Sequence, residues 1–303
     1  MISIIICSRK PQLDEVLLKN INDTVGVEHE VVCIDNSDNQ YSIFSAYNKG
    51  IALSQYPYIC LVHDDVLFHT NGWGQLIIRH LAVPEVGLCG IAGGDVMSRV
   101  PSDWLALNPS VHITHTDKSG LKPQEKMFLP VGYPHTSKSV VLLDGVFICA
   151  RKDIFSLIRF DETFGGFHGY DYDISMQSIQ AGFKNYVVYD IDIEHFSTGR
   201  LDATYFRALF NIWRKWIHVL PVFEQGIDFT SRDEILRKVE KTRIQKLFKR
   251  MIRAYMTENE VYGLLKEAMD WSGQSHYSKN RMIFRIKYWY VRINSELRNK
   301  MNN

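Results

Sequence analysis

The chain has 303 residues, of which 46% are hydrophobic and 23% are charged, so it can bury a sizeable core. No run of 18 apolar residues occurs, which excludes a membrane-spanning helix. The net charge of +1 conceals an asymmetry: residues 231–303 carry 17 Lys and Arg against 8 Asp and Glu, whereas residues 1–230 carry 18 against 26. An acidic body with a basic tail predicts two separate roles.

The five cysteines, Cys7, Cys33, Cys60, Cys89 and Cys149, all lie in apolar, strand-like runs. Their odd number and the lack of a CxxC spacing predict neither a disulfide framework nor a zinc knuckle. We expect small buried side chains in a reducing compartment. The N-terminus enters a strand at once, without a charged segment and a cleavage site, which predicts a cytoplasmic protein, either free or peripheral on the cytoplasmic face of the membrane.

Strands and helices alternate in the first 60 residues. Ile2–Cys7, Glu30–Ile34 and Ile59–Val62 are short apolar runs, and the stretches Leu13–Ile21 and Phe44–Leu53 between them fit helices. This alternation predicts right-handed βαβ units and a parallel sheet. Each predicted strand ends in polar residues, so these residues should share one edge of the sheet.

The pattern continues beyond residue 60 with three further predicted strands, Val86–Ala92, Ser139–Ala150 and Asn185–Ile191. Residues 95–138 contain five prolines and are expected to be irregular. From about Leu201 onward the pattern is helical.

Two adjacent carboxylates, Asp64 and Asp65, follow His63 at the end of the apolar run Ile59–Val62. Open α/β sheets bind ligands outside the carboxyl ends of their strands. Carboxylates there are costly unless something positive pairs with them. The residues alone leave open a divalent metal that carries a phosphorylated ligand, or a hydrated Asp-Asp turn.

A second acidic pair, Asp171 and Asp173, precedes a stretch with helical spacing. An N-cap role for one of them would leave the other free for chemistry. The histidines His112, His115 and His135 leave open a zinc site or ordinary solvent-exposed loop residues.

An ordered set of motifs resembles a known family. It comprises a first strand that ends in Ser8, then "CIDNSD", "AYNKGI", "LVHDDV", "LDGVFICARKDIF", "FDETFGGFHGYDYDIS" and "RKW". The set, which covers about residues 2–216, resembles the nucleotide-sugar-dependent glycosyltransferases of GT-A fold, in particular family 2.

The resemblance implies an α/β fold of GT-A type, with a Rossmann-like, mostly parallel central sheet flanked by helices and a C-terminal helical extension. Residues 1–220 would form the glycosyltransferase domain, and residues 221–303 would form a basic, mostly helical C-terminal region. It also implies a divalent cation, Mn²⁺ or Mg²⁺, as cofactor.

The implied activity is inverting transfer of a sugar from a nucleotide-diphosphate donor, expected to be a UDP-sugar. The acceptor would be a hydroxyl of a glycan or lipid-linked saccharide in surface polysaccharide or glycoconjugate synthesis. Two alternatives stay open: a catalytically degenerate protein that binds nucleotide or glycan, and a sugar-nucleotide nucleotidyltransferase. The second usually needs a glycine-rich loop after the first strand, and "CSRKPQLDE" has no glycine.

The resemblance also implies roles for individual residues. Asp171 matches the catalytic base, and Asp65 and His195 match metal ligands; for His195, an ordinary histidine at a strand end is the alternative. The nucleotide would be bound by Ser8, Asp35, Asn36, Asn48 and Asp64. Donor or acceptor sugar would be contacted by Trp104, Asp144, Gly145, Tyr170 and Asp173. Independently of the resemblance, Gly145 within a predicted strand indicates a bulge or a close approach by a ligand.

The sequence departs from the family pattern at two positions. His63 stands where the metal motif usually begins with Asp, and this bears on metal dependence. Tyr170 stands where the family has Glu before the catalytic Asp, and this changes the surroundings of Asp171.

The C-terminal region has an apolar stripe at helical spacing with Arg and Lys between, and "RMIFRIKYWYVRI" (Arg281–Ile293) mixes basic, aromatic and aliphatic residues. Such a segment suits an anionic membrane surface, where lipid-linked acceptors reside. Ordinary helix packing, including a homodimer through these helices, is the alternative. No nucleic acid partner is expected.

Overall fold

The structure, a computed structural model, describes residues 1–105, 107–117, 124–129, 136–197, 201–224, 232–273 and 281–301. The chain divides into two compact units. The first comprises Met1–Val96 with Leu107–Gly199, and the second comprises Met97–Ala106 with Arg200–Asn303. The predicted domain boundary at residue 220 remains a prediction.

The elements up to residue 197 alternate between strands and helices. In chain order they are β1 (Ile2–Ser8), α1 (Glu15–Thr24), β2 (His29–Asp35), α2 (Ile43–Leu53), β3 (Tyr58–Val62), β4 (Val66–Phe68), α3 (Trp73–Leu81), β5 (Val86–Gly90), β6 (Ala92–Gly94), β7 (Val96–Met97), β8 (Pro109–His115), β9 (Glu125–Leu129), β10 (Ser137–Val140), β11 (Leu142–Leu143), β12 (Phe147–Arg151), α4 (Tyr170–Gln180), β13 (Lys184–Val188) and β14 (Ile193–His195).

The central sheet has seven strands in the order β10-β13-β5-β12-β3-β1-β2. The pairs β1–β2, β1–β3 and β5–β13 are parallel, whereas β12 is antiparallel to β3 and β5, and β10 is antiparallel to β13. Five of the seven strands therefore run in one direction. The predicted α/β fold with a mostly parallel central sheet is confirmed.

A second sheet has the strand order β11-β6-β8-β14-β4, with β9 paired to β8. The expectation that residues 95–138 are irregular is therefore wrong for the described part of that segment, which contains β8 and β9. Pro109 is the first residue of β8, a position at which a strand tolerates proline, so proline was a poor sign of irregularity here.

The predicted long strand Ser139–Ala150 is three strands, because β10 and β12 belong to the central sheet and β11 belongs to the second. The cysteine prediction holds for Cys60, Cys89 and Cys149, which are buried. It is wrong for Cys33, which is exposed. Cys33 lies on β2, the edge strand of the central sheet.

The N-terminal helices begin at side-chain caps. Asp14 accepts a hydrogen bond from the backbone N–H of Val16 at the start of α1, and Ser42 accepts one from Ser45 at the start of α2. Helix α2 packs on β1 closely enough that a Cβ on Gly50 would overlap Ile5. Glycine at this position sets the distance between helix and sheet.

The second unit is mostly helical and contains α5 (Ala203–Trp216), β15 (Val222–Phe223), α6 (Arg232–Arg253), α7 (Glu258–Ser272) and α8 (Arg281–Met301). Strand β15 pairs with β7 in a two-stranded sheet. No helix of the described residues is long and apolar enough to cross a membrane.

Buried ion pairs join the short segment Met97–Ala106 to α6 within this unit. Arg99 pairs with the fully buried Glu240 at 2.8 Å, and Asp103 accepts from Arg243 at 2.7 Å and from Arg250 at 2.8 Å. These ion pairs between partly or fully buried side chains fix the segment to the helix.

The packing at Gly50 predicts whether a substitution there stabilises or destabilises the protein. Gly50→Ala should destabilise the protein, because overpacking against the buried Ile5 costs about 1–3 kcal/mol whereas the gain in helix propensity is only about 1 kcal/mol. Gly263→Ala in α7 is the control: nothing lies within 4 Å of the added Cβ, so it should stabilise. Urea denaturation measures both; a stabilised Gly50→Ala would contradict the packing.

Candidate functional site

Polar residues from several strands meet at one edge of the central sheet. Ser8 is the register partner of Asp35 on β2, and both end their strands there. Val62, the last residue of β3, pairs with Phe147, the first of β12. Because β12 runs in the opposite direction, the residues before it, Asp144 and Gly145, lie beside those that follow β3.

Strand β14 ends in a histidine, His195, which lies at the same edge of the central sheet. It pairs with β4 in antiparallel register so that His195 lies opposite Val66, and the backbone N–H of Phe196 donates to the carbonyl of Asp65 at 2.8 Å. This pairing joins residues separated by about 130 positions in the chain. It brings the imidazole of His195 next to the carboxylate that follows β3.

His63, Asp65 and His195 form the one cluster among the described residues that could hold a metal ion, with one ligand atom from each lying within 4.8 Å of the others. Nε2 of His195 lies 3.2 Å from Oδ1 of Asp65, and Nδ1 of His63 lies 3.9 Å from the same oxygen. Burial and the neighbouring His195 lower the pKa of His63, so its imidazole is neutral at neutral pH.

The cluster has the chemistry of a divalent metal site. Nε2 of His195 is buried and has no hydrogen-bond partner, since its short distance to Asp65 lacks hydrogen-bond geometry. Two imidazole nitrogens and one carboxylate form a ligand set that suits a first-row transition metal such as Mn²⁺ better than Mg²⁺, which prefers oxygen ligands. The residues present therefore fit a divalent cation.

Arg9 supplies positive charge beside this cluster. Its guanidinium contacts Asp64 at 2.5 Å and Asp65 at 3.2 Å, and its backbone N–H also donates to Asp64 at 3.1 Å. The Arg9 side chain is 68% exposed, so the ion pairs contribute little to stability. An exposed cation beside two carboxylates can exchange partners when an anionic ligand arrives.

Asp171 lies in the first turn of α4 and carries a perturbed carboxyl group. Burial and, to a smaller extent, the charge of Asp144 raise its pKa to about 8, although hydrogen bonds from the backbone amides of Tyr172, Asp171 and Gly145 oppose the rise. Neither Asp171 nor Asp173 caps the helix, because Gly169 in the left-handed conformation (φ 83°) is the N-cap, so the alternative role of an N-cap does not apply to either residue. A carboxyl group with a pKa near 8 is suited to accept a proton.

Tyr170, the residue before Asp171, contacts both the residue that follows β3 and a residue that precedes β12. Its hydroxyl lies 2.8 Å from Nε2 of His63 and donates to the carbonyl of Gly145 at 3.0 Å. A Cβ on residue 145 would overlap the Tyr170 ring and hydroxyl. A side chain of the protein, that of Tyr170, therefore makes the close approach at Gly145, and the approach of a ligand to this residue remains a prediction.

Two residues that are predicted to bind nucleotide, Asp35 and Asn36, form hydrogen bonds within the turn that follows β2. Asp35 is exposed, and hydrogen bonds from the backbone and hydroxyl of Ser37 lower its pKa. The amide of Asn36 bonds the backbone of Tyr41 in both directions and so closes the turn after β2. Their roles in binding nucleotide remain predictions.

The other predicted residues have partners away from the cluster. Asn48 donates to Glu162 and to the carbonyl of Phe160. Asp173 accepts from Gln177 on its own helix. Trp104 belongs to the second unit. The roles assigned to them remain predictions.

The alternative zinc site has no geometric support among the described residues. Positions 112 and 115 lie on opposite faces of β8, where His112 pairs with Asp192 at 2.5 Å and the His115 ring lies 5.6 Å from that of His195. His135 lies outside the described residues.

Sequence reasoning missed Arg9 and gave His63 no part in metal binding. Both stand at carboxyl ends of predicted strands, so the edge rule that selected Asp65 applied equally to them. The partnership of His63 with Tyr170 has no sequence signal, because 107 residues separate the two.

Comparisons with known proteins identify the family of the chain and its fold. The sequence profile described as "Glycosyltransferase like family" matches residues 3–197. The structure resembles S. aureus TarS 1–349, with a TM-score of 0.53 and 12% identity, over 100% of this chain and 92% of that one. A second structure of TarS 1–349, in complex with UDP-GlcNAc, gives a TM-score of 0.51 with the same identity and coverage. No curated protein sequence matches the chain.

The raised pKa of Asp171 predicts a pH-dependent effect on stability. Below about pH 4 this carboxyl is protonated in both the folded and the unfolded chain. Between pH 4 and pH 8 the unfolded chain releases the proton while the folded chain keeps it, so the free energy of unfolding falls as pH rises. In metal-free protein, Asp171→Asn should therefore raise the melting temperature by a few degrees at pH 8–9 and by much less at pH 4.

The control for this experiment is Asp35→Asn, because the pKa of Asp35 is lowered and its removal should not stabilise the protein at any of these pH values. Differential scanning calorimetry compares the three proteins. Equal melting temperatures of wild type and Asp171→Asn across this pH range would contradict the buried environment of Asp171.

Proposed function

The chain belongs to the glycosyltransferase-like family, and we propose that it transfers a sugar from a UDP-sugar to a hydroxyl group with inversion at the anomeric carbon. The observation that carries the proposal is the arrangement at the sheet edge, where a candidate cation cluster, an exposed arginine and a carboxyl group with a raised pKa come from neighbouring strand and helix ends.

The proposed donor is a UDP-sugar. The TarS structure with UDP-GlcNAc shares the fold, and it motivates UDP as the first nucleotide to test. Asp35 at the exposed end of β2 would recognise the base, with Ser8, Asn36 and Asn48 as further proposed contacts. Asp64 would contact the ribose, and Asp144 would contact the donor or acceptor sugar.

A divalent cation would be held by Asp65, His195 and His63. When bound, such an ion neutralises the charge of a diphosphate leaving group. Arg9 contributes in the same direction: its guanidinium is exposed and already lies at the two carboxylates, so it can turn toward phosphate oxygens.

Asp171 is the proposed general base. The acceptor oxygen would form a bond to the anomeric carbon while its proton passes to the Asp171 carboxylate, and the bond from that carbon to the diphosphate would break with the electron pair leaving on UDP. A single displacement of this kind inverts the configuration. With a pKa of about 8 the group binds the proton firmly after transfer.

Two alternatives are weaker on the same observations. A nucleotidyltransferase would use a glycine-rich phosphate loop after β1, where this chain has Ser8, Arg9 and Lys10. A protein that only bound nucleotide would have no use for a buried carboxyl group, which lowers its stability at neutral pH.

A surface on α8 favours attachment to an anionic membrane as a second role. Phe284 and Tyr288 are buried in the helical bundle, and the opposite face of α8 exposes apolar side chains, namely Met282, Ile286, Trp289, Tyr290, Ile293 and Leu297. An open cleft of about 570 Å³ adjoins this stripe at Tyr290 and is lined by Lys249, Arg253 and Arg292. We propose that the stripe enters the interface while these cations bind lipid headgroups, on the cytoplasmic face of the membrane.

Replacement of the base gives the direct test of the proposed reaction. Asp171→Asn should lower sugar transfer, or donor hydrolysis by water when no acceptor is known, by about 10²–10⁴-fold. Binding of UDP measured by calorimetry should stay within about twofold, because Asp171 acts on the acceptor. In the wild type, kcat/KM should rise with pH up to about pH 8, since only the deprotonated group is active.

The control variant is Asp153→Asn, whose carboxylate is exposed and pairs only with Arg151 at 3.6 Å, and it should keep full activity. A panel of UDP-sugars, scored by release of UDP, identifies the donor. Ordinary turnover by Asp171→Asn would remove Asp171 from its role, and no turnover of any nucleotide sugar by the wild type would favour the binding protein.

The membrane proposal predicts that the wild type sediments with vesicles containing anionic phosphatidylglycerol, and that high salt weakens this binding. Ile286→Asp and Ile293→Asp should each weaken it at least tenfold, because each places a charge at the interface. Val16→Asp, on the exposed face of α1, is the matched control. Binding unaffected by the two α8 variants would contradict the proposal, and a dimer that the same variants dissociate would assign the stripe to self-association instead.

A further inference from the structure

The two positions at which the chain departs from its family, His63 and Tyr170, contact each other, with 2.8 Å between Nε2 and the phenolic oxygen. We propose that Tyr170 is a positioning residue: it holds His63 in the tautomer and orientation in which Nδ1 can ligate a divalent cation together with Asp65 and His195. The inference rests on the cation site of the proposed function and adds a residue that the metal motif itself does not contain.

The hydrogen bonds of Tyr170 determine where the proton of His63 lies. A phenol has one proton, and Tyr170 donates it to the carbonyl oxygen of Gly145 at 3.0 Å, a group that can only accept. The phenolic oxygen must therefore accept the hydrogen bond from His63, so Nε2 of His63 carries a proton. The neutral imidazole then has its lone pair on Nδ1.

This lone pair faces the other two candidate ligands. Nδ1 of His63 is 3.9 Å from Oδ1 of Asp65, too far for a hydrogen bond but suitable for two atoms that share one ion. Nε2 of His195, on the other side of Asp65, is buried without a hydrogen-bond partner. One ligand atom from each of the three residues thus lies within 4.8 Å of the others, close enough for all three to share one cation.

The surrounding packing keeps the tyrosine in place. Tyr170 is buried, and its ring packs edge-on against Phe44 and Tyr47, with centroids 6.3 and 5.5 Å away. Gly145 leaves room for the hydroxyl, because any Cβ there would overlap it. A ligand held in this way by a fixed neighbour has one orientation, and loss of such a neighbour typically weakens metal binding about 10–100-fold.

The test is Mn²⁺ binding to nucleotide-free protein, measured by electron paramagnetic resonance after removal of metal with EDTA. Tyr170→Phe keeps the ring and removes the hydroxyl, and it should weaken Mn²⁺ binding about 10–100-fold. Gly145→Ala should weaken it similarly by displacing the hydroxyl. Tyr288→Phe is the control: it also removes a buried hydrogen bond to a backbone carbonyl, that of Met256, and it should leave Mn²⁺ affinity unchanged.

A double-mutant cycle separates positioning from a general loss of stability. His63→Ala should weaken Mn²⁺ binding at least as much as Tyr170→Phe, and Tyr170→Phe in that background should cause no further loss. Unchanged affinity in Tyr170→Phe, or an equal loss in both backgrounds, would overturn the inference. A wild type that does not bind Mn²⁺ would defeat the proposed cation site itself, whereas a wild type that binds while Tyr170→Phe binds equally well defeats only this inference.

Discussion

The ligand atoms of His63, Asp65 and His195 converge at one edge of the central sheet, and this convergence constrains the residues around it. A carboxylate such as that of Asp65 is costly at this position unless a positive charge pairs with it. Arg9 partly meets this need in the structure by bridging Asp64 and Asp65. A diphosphate with its metal ion would meet it more completely, because it brings two positive charges into the cluster and an anionic group for the arginine.

The same edge separates two kinds of carboxyl group. Asp64 and Asp65 lie beside Arg9, whereas Asp171 lies in the first turn of α4, where burial and Asp144 raise its pKa to about 8. The first pair is suited to hold charge and the second group to accept a proton. Tyr170 connects the two groups: it begins α4 immediately before Asp171, and its hydroxyl contacts His63 of the cation cluster.

The sequence predicted the α/β fold and the mostly parallel sheet, because alternating apolar runs and helical spacings are local signals. The resemblance of its motifs to the family also selected Asp65, His195 and Asp171 as candidates. The sequence could not predict that β14 pairs with β4, which places His195 next to Asp65. The hydrogen bond from His63 to Tyr170 depends in turn on the antiparallel β12 and on the missing side chain of Gly145, and long-range register of this kind leaves no local pattern.

A crystal structure of the protein with Mn²⁺ and UDP, using the anomalous signal of manganese, tests the central claim most directly. The account predicts an anomalous peak in contact with Nδ1 of His63, the carboxylate of Asp65 and Nε2 of His195, with the diphosphate bound to the same ion and the uracil near Asp35. A nucleotide bound away from this edge, or an ion that leaves His63 and His195 without a ligand bond, would contradict it.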